Sequence, residues 1–154
     1  MPEHPSPLNA AGVRFSSPPG TLSAVGSELA IAQAVSLPSD ARTVITSGQC
    51  GFRDDLSISP DLKEQIETTF LNAEKTLRAA GVADGLQGVY QITLYALQID
   101  DELVQIWREM KMRYMGRHTP VETAVTVPAL YGGARVEMTF YAVAGRGPEL
   151  SQKL

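Results

Sequence analysis

The segment Ser59–Gly81, SPDLKEQIETTFLNAEKTLRAAG, decides the reading of this chain, together with GVYQITLYAL at 88–97. Ser59 at the N-cap, Pro60 at the first helical position and Asp61 in the first turn announce a helix. Leu62, Ile66, Phe70, Ala73 and Leu77 recur at steps of four and three as one apolar stripe, and Gly81 stands just past its end. The period then switches to two. Tyr90, Ile92, Leu94 and Ala96 alternate with Val89, Gln91, Thr93 and Tyr95, which predicts a long strand over 88–97. A second helix opens at Asp100 or Asp101, is striped by Leu103, Ile106, Trp107, Met110 and Tyr114, and closes at Gly116.

Outward from this core, Ala30–Val35 and Arg42–Ser47 are short β-prone runs parted by a turn at Leu37-Pro-Ser-Asp40. Val121–Val127 and Arg135–Val143 read as two more strands, with Gly132-Gly133 in the loop of a hairpin. The order β-β-α-β-α-β-β predicts an α+β fold, one mixed sheet with both helices on a single face. Five of the ten prolines precede Gly20, so residues 1–20 read as a flexible arm, 21–145 as the domain and 146–154 as a frayed tail.

The composition narrows the function. The chain has 154 residues, 44% hydrophobic and 19% charged, which suits one core and not two. A net charge of −4 and 6% aromatic residues argue against a nucleic-acid partner. Cys50 stands alone, and His4 and His118 are too few for a histidine-built metal centre, so no metal or cofactor is expected. No apolar run is long enough for a membrane span. Met1-Pro-Glu-His-Pro-Ser-Pro lacks the order of a signal peptide, so the expected location is the cytoplasm.

Strand parity assigns Val121, Val125 and Val127, with Val136, Met138, Phe140 and Ala142, to the side under the helices. The other side then collects Gln91, Thr93 and Tyr95, Glu122, Ala124 and Thr126, and Arg135, Glu137, Thr139 and Tyr141. That face is poor in lysine and glutamate for one open to water. A homo-oligomer whose subunits cover each other's faces is the expectation.

Several strings, in order and spacing, resemble the RidA/YjgF family over residues 21–144. They are Arg42-Thr-Val-Ile-Thr-Ser-Gly-Gln49 after a Gln33-containing strand, the Ser59–Gly81 helix, Val89–Tyr95, Trp107, Pro120–Leu130 and Val136–Ala142. The resemblance implies a chorismate-mutase-like homotrimer without metal or organic cofactor. It also implies a substrate pocket in the cleft between subunits, where deaminating members hydrolyse imines and enamines. By the same resemblance Ser47 corresponds to the family's pocket serine and Glu137 to its pocket glutamate, with Gly48 and Tyr95 beside them. Four positions depart from the pattern: Glu122 replaces the arginine of Pro-x-Arg, Ile31 a tyrosine, Ala124 a cysteine and Val104 an asparagine.

The change at 122 reverses a charge. A glutamate there would repel a substrate carboxylate by an amount on the order of several kcal/mol, so an amino-acid-derived imine is disfavoured. Two carboxylates in one cleft also push their pKa values apart. The expected chemistry is therefore hydrolysis, deamination or tautomerisation of a small imine, enamine or enol, with Glu137 as base and Glu122 as acid or amine anchor. The alternative is a non-catalytic small-molecule-binding trimer in which Glu122 pairs with Arg135 or a basic residue of another subunit. Arg108, Lys111, Arg113 and Arg117 at the end of the second helix read as a solvated face favoured by the helix dipole, or as the source of a substitute cation. Cys50 reads as a buried, inert thiol.

Overall fold

A computed structural model of the chain describes residues 4–146. Its elements are β1 (Arg14–Ser16), α1 (Thr21–Leu29), β2 (Ala34–Ser36), β3 (Ala41–Ile45), α2 (Leu62–Ala79), β4 (Val89–Ala96), α3 (Asp101–Met115), β5 (Val121–Thr126) and β6 (Val136–Arg146). The main sheet has four strands in the order β3-β6-β4-β5. β6 pairs antiparallel with both β3 and β4, whereas β4 and β5 run parallel and α3 is the crossover between them. The fold is α+β, as expected.

Helices α2 and α3 lie on one face. Ile66, Phe70 and Leu77 from α2, Leu103 and Met110 from α3, and Ile92, Met138 and Phe140 from the sheet form one buried cluster. Phe70 sits at its centre, with ring centroids 5.3 Å from Trp107, 5.5 Å from Tyr114 and 6.0 Å from Phe140. The α2 cap is shifted from its expected place. Asp61 is the N-cap, its carboxylate accepting from the Glu64 amide at 2.8 Å, while the Ser59 hydroxyl accepts from the Asp61 amide and donates to Glu64. Asp100 caps α3 in the same manner.

Four expectations are corrected. β5 and β6 form no hairpin. The connection that bends at Gly132 (φ 67°) and Gly133 (φ 82°) sends β6 between β3 and β4 instead. The parity of β5 is inverted: Glu122 and Ala124 align with Ile92 and Leu94 on the helix face, and Val121 and Val125 align with Gln91 and Tyr95 on the open face. A third helix, α1, precedes β2; it lacks a side-chain cap and leaves Leu22, Val25 and Leu29 exposed. The run at 30–35 yields only β2, which pairs with β1 and not with the main sheet.

The proline-rich segment is packed where a flexible arm was expected. Pro7–Ala11 is a 3-10 turn, and Leu8, Val13 and Phe15 bury with Ala32 and Val143 in a second cluster. Prolines at its ends leave the intervening apolar residues free to pack, and this cluster covers one end of the open sheet face. Residues 1–3 and the expected tail beyond Arg146 lie outside the described residues.

His118 fastens α3 to this assembly. Its Nε2 donates to the Val89 carbonyl, its ring meets Phe15 edge-on at 5.4 Å, and its buried Nδ1 has no hydrogen-bond partner among the described residues. Burial pulls its pKa below the ordinary 6.5, the Val89 contact opposing this only in part. The neutral ring belongs to the folded state, so its contribution is intact above about pH 6.5 and is lost as pH falls through the lowered folded value. Urea unfolding across this range is expected to show wild-type stability falling more steeply with acid than that of His118→Gln.

Candidate functional site

The residues expected to share one pocket divide between the two faces of the sheet. On the helix face, Glu122 Oε1 accepts from Trp107 Nε1 at 2.6 Å and Oε2 accepts from Lys111 Nζ at 2.7 Å. Trp107 and Lys111, four apart on α3, present their polar ends to the same carboxylate. Lys111 is 2% exposed and Glu122 10%. The ammonium also donates to the carbonyls of Leu29 at 2.8 Å and Ala30 at 3.3 Å, closing the C-terminus of α1. Ala30 itself is left-handed (φ 55°), which turns its carbonyl toward that cap. Burial draws the Lys111 pKa below its ordinary value, and the charge and hydrogen bond of Glu122 act against the shift.

This geometry overturns the premise placed on position 122. The carboxylate is not an open anion in a cleft beside Glu137. Its partner is Lys111 of the same chain, not Arg135. The sequence reading named Lys111 within the basic run, as part of a solvated face or as a source of a substitute cation, but did not pair it with Glu122; the available signal was its spacing from Trp107 and its place next to Met110 of the buried stripe.

Beside this pair, where α3 leaves the edge strand β5 partly uncovered, lies a recess of about 150 Å³. Leu29, Leu94, Leu103, Val104, Trp107 and Ala124 supply most of its wall, with Arg108 and the carboxylate of Glu122 as its charged members. Ile31 is not part of it; it lines a neighbouring recess of about 330 Å³ next to Ala30.

Glu137 lies on the opposite, open face, in register with Tyr95 across the β4–β6 pair. The Ser47–Cys50 loop is held against it by Gln49, which exchanges backbone hydrogen bonds with Met138 at 2.7 and 2.9 Å. A Cβ at Gly48 would run into Glu137 Oε1, so the carboxylate keeps this position only against the bare backbone. Cys50 Sγ donates to Glu137 Oε2 at 3.6 Å. Burial, reinforced by the Glu137 charge, pushes the thiol up to about 12, so it is a proton donor and not a nucleophile. Glu137 Oε1 receives no hydrogen bond among the described residues. Ser47 is exposed in the same loop. The structure therefore groups Ser47, Gly48, Tyr95 and Glu137, and separately Glu122 and Ala124.

A mixed sheet backed by α2 and α3, with a glycine-gated glutamate on its free face, defines a small α+β protein of the Rid type. Residues 24–144 match the family described as Endoribonuclease L-PSP, and the chain belongs to that family, the RidA/YjgF group. Among solved structures it is similar to a Rid-family protein of unknown function, YyfB of Yersinia pestis (TM-score 0.73, 19% identity, 85% of this chain and 98% of that one). It is also similar to RidA of an Antarctic Psychrobacter (0.60, 25%, 84% and 93%). A third likeness is to Escherichia coli TdcF with bound serine (0.58, 18%, 75% and 94%). No curated protein matches the chain.

Removing one member of a buried ion pair strands the other, at a cost of about 3–5 kcal/mol. Glu122→Gln and Lys111→Met are each expected to lose about that much in urea unfolding, and the Glu122→Leu/Lys111→Met double variant is expected to regain most of it.

Proposed function

We propose that the protein is a Rid-type trimer acting on a small imine-, enamine- or enol-like metabolite, with Glu137 as its one reacting carboxylate and Glu122 as a structural residue. In this reading the open sheet face of one subunit closes over the recess of another, so that Glu137 reaches a molecule seated beside Ala124. The exposure of Ile45 (62%) and Val125 (39%) on that face supports the covering subunit. The single observation that carries the assignment is the difference between the two carboxylates. Both oxygens of Glu122 are hydrogen-bonded within the subunit, while Glu137 receives no hydrogen bond on Oε1 among the described residues and carries a protonated thiol on Oε2.

A lone carboxylate with a free oxygen can orient water or move a proton, the step that imine hydrolysis and enol–keto exchange share. The charge at 122 no longer opposes an anionic substrate, because Lys111 cancels it. A second reading, a binding protein without turnover, is favoured by one fact: no second titratable carboxylate faces the recess uncommitted.

Ammonia release from imines generated in situ by an amine or amino-acid oxidase separates the two readings. Turnover by wild type, reduced about 100-fold or more in Glu137→Gln, supports the enzyme. Ligand-dependent stabilisation with no turnover supports the binder. Light scattering is expected to give three chain masses in solution, and Ile45→Arg is expected to give a folded monomer that has lost activity.

A further inference from the structure

The chain has two histidines, and both stand at one joint, where residues 4–16 lie across the exit of α3. His118 occupies the seam between the two apolar clusters. On one side are Val89, whose carbonyl its ring holds, and Met115, whose carbonyl accepts from its amide at 3.1 Å; both belong to the main core. On the other side is Phe15, a member of the smaller cluster.

The neutral ring fits this seam. Nε2 carries the proton that goes to Val89, and Nδ1 has no need of one. Protonation would make Nδ1 a second donor, buried and without an acceptor among the described residues.

The surrounding elements offer the added charge no relief. On residues 4–16, Arg14 turns its guanidinium to the carbonyls of Asn9 and Val13, and His4 is engaged by the hydroxyls of Ser17 and Thr119. The end of α3 brings the further cations Arg113 and Arg117, with Tyr114 bonded to Glu67. β4 brings Tyr90, beside Tyr141, and β5 brings Glu122, which is spent on Lys111. At the 3-10 turn of 85–88, Glu74 is held by Arg78 and the Leu86 amide, and Asp84 is exposed, as is Asp40 in the turn before β3. Burial and the Val89 carbonyl are what act on the ring, burial the more strongly.

Only one side of the seam yields at small cost. α3 and β4 set Met110, Met115, Val89 and Ile92 into the main core, whereas residues 4–16 are tied by one 3-10 turn, the three β1–β2 pairs and the side chains of Leu8, Val13 and Phe15. Lifting that segment brings water to the imidazolium. His4 is not the trigger, because both its partners are hydroxyls, which accept as well as donate, so a protonated ring keeps both contacts.

We propose that residues 4–16 form a strap latched by neutral His118, and that acid releases it, uncovering Ala32, Tyr90, Val121 and Val143 at one end of the open sheet face. The device does not depend on turnover at Glu137. Closed, the strap keeps the ring neutral; open, the ring takes up a proton near its ordinary value of about 6.5. The latch is therefore at full strength above that pH, and below it release is favoured by up to about tenfold per pH unit until the lowered folded value is reached.

Amide hydrogen exchange on the full-length protein, followed from about pH 7.5 to 5.5 and corrected for the chemical rate, tests this. Residues 8–16 are expected to exchange at least tenfold faster than residues 66–77 of α2 throughout, the mark of a local opening, and to quicken about tenfold across that range. His118→Gln is expected to abolish the pH response, and His4→Gln to leave it as in wild type. A wild-type strap that ignores pH, a response lost in His4→Gln or kept in His118→Gln, or exchange of 8–16 and 66–77 at one common rate would overturn the latch. If His118→Gln does not fold, the profiles of wild type and His4→Gln decide the matter.

Discussion

The ammonium of Lys111 is the point on which three elements converge. It is almost wholly buried, and its three acceptors come from β5 and from the last two carbonyls at the end of α1. A cation so placed must be fully paired, and each partner it recruits fixes a piece of backbone. Glu122 sets the angle between α3 and the edge strand, and Leu29 and Ala30 set where α1 stops. The recess is what remains between those three constraints. Its shape follows from an ion pair, and its lack of net negative charge follows from the same pair.

The helices and central strand were legible in the sequence because α2, β4 and α3 each obey one period throughout, and the core lies where those periods agree. β5 was legible as a strand but not in its orientation. The rule that apolar side chains face the helices holds for a strand they cover. β5 is an edge strand that α3 crosses only in part, so its valines turn to the open face and a glutamate turns inward toward a cation. A local pattern carries no notice of a partner eleven residues away on another element. The same limit hid the insertion of β6, since a Gly-Gly bend is compatible with a hairpin and with a longer return.

Family resemblance named candidate residues along the chain and left their mutual geometry undecided. Glu137 and Gly48 do meet, because a bare backbone at 48 lets the carboxylate lie against the loop. Glu122, which the resemblance sets against an arginine, belongs to the interior. A charge reversal read from sequence alone looks like a change of substrate; with its counter-ion in view it is a change in where the positive charge is kept.

The two halves of the site differ in how far apart their members lie on the chain. Glu122 meets its partners across 11 and 15 residues, within one strand–helix–strand unit, while Cys50 and Glu137 meet across 87. Closing the longer loop costs roughly 1.7 kcal/mol more in chain entropy. The Glu122 contacts can thus form early, on a nascent 89–126 unit, and the contacts of Glu137 are completed only when the last strand threads between its neighbours. A chain interrupted before that strand would carry the Lys111–Glu122 pair and lack the strand that brings Glu137 to the Ser47–Cys50 loop.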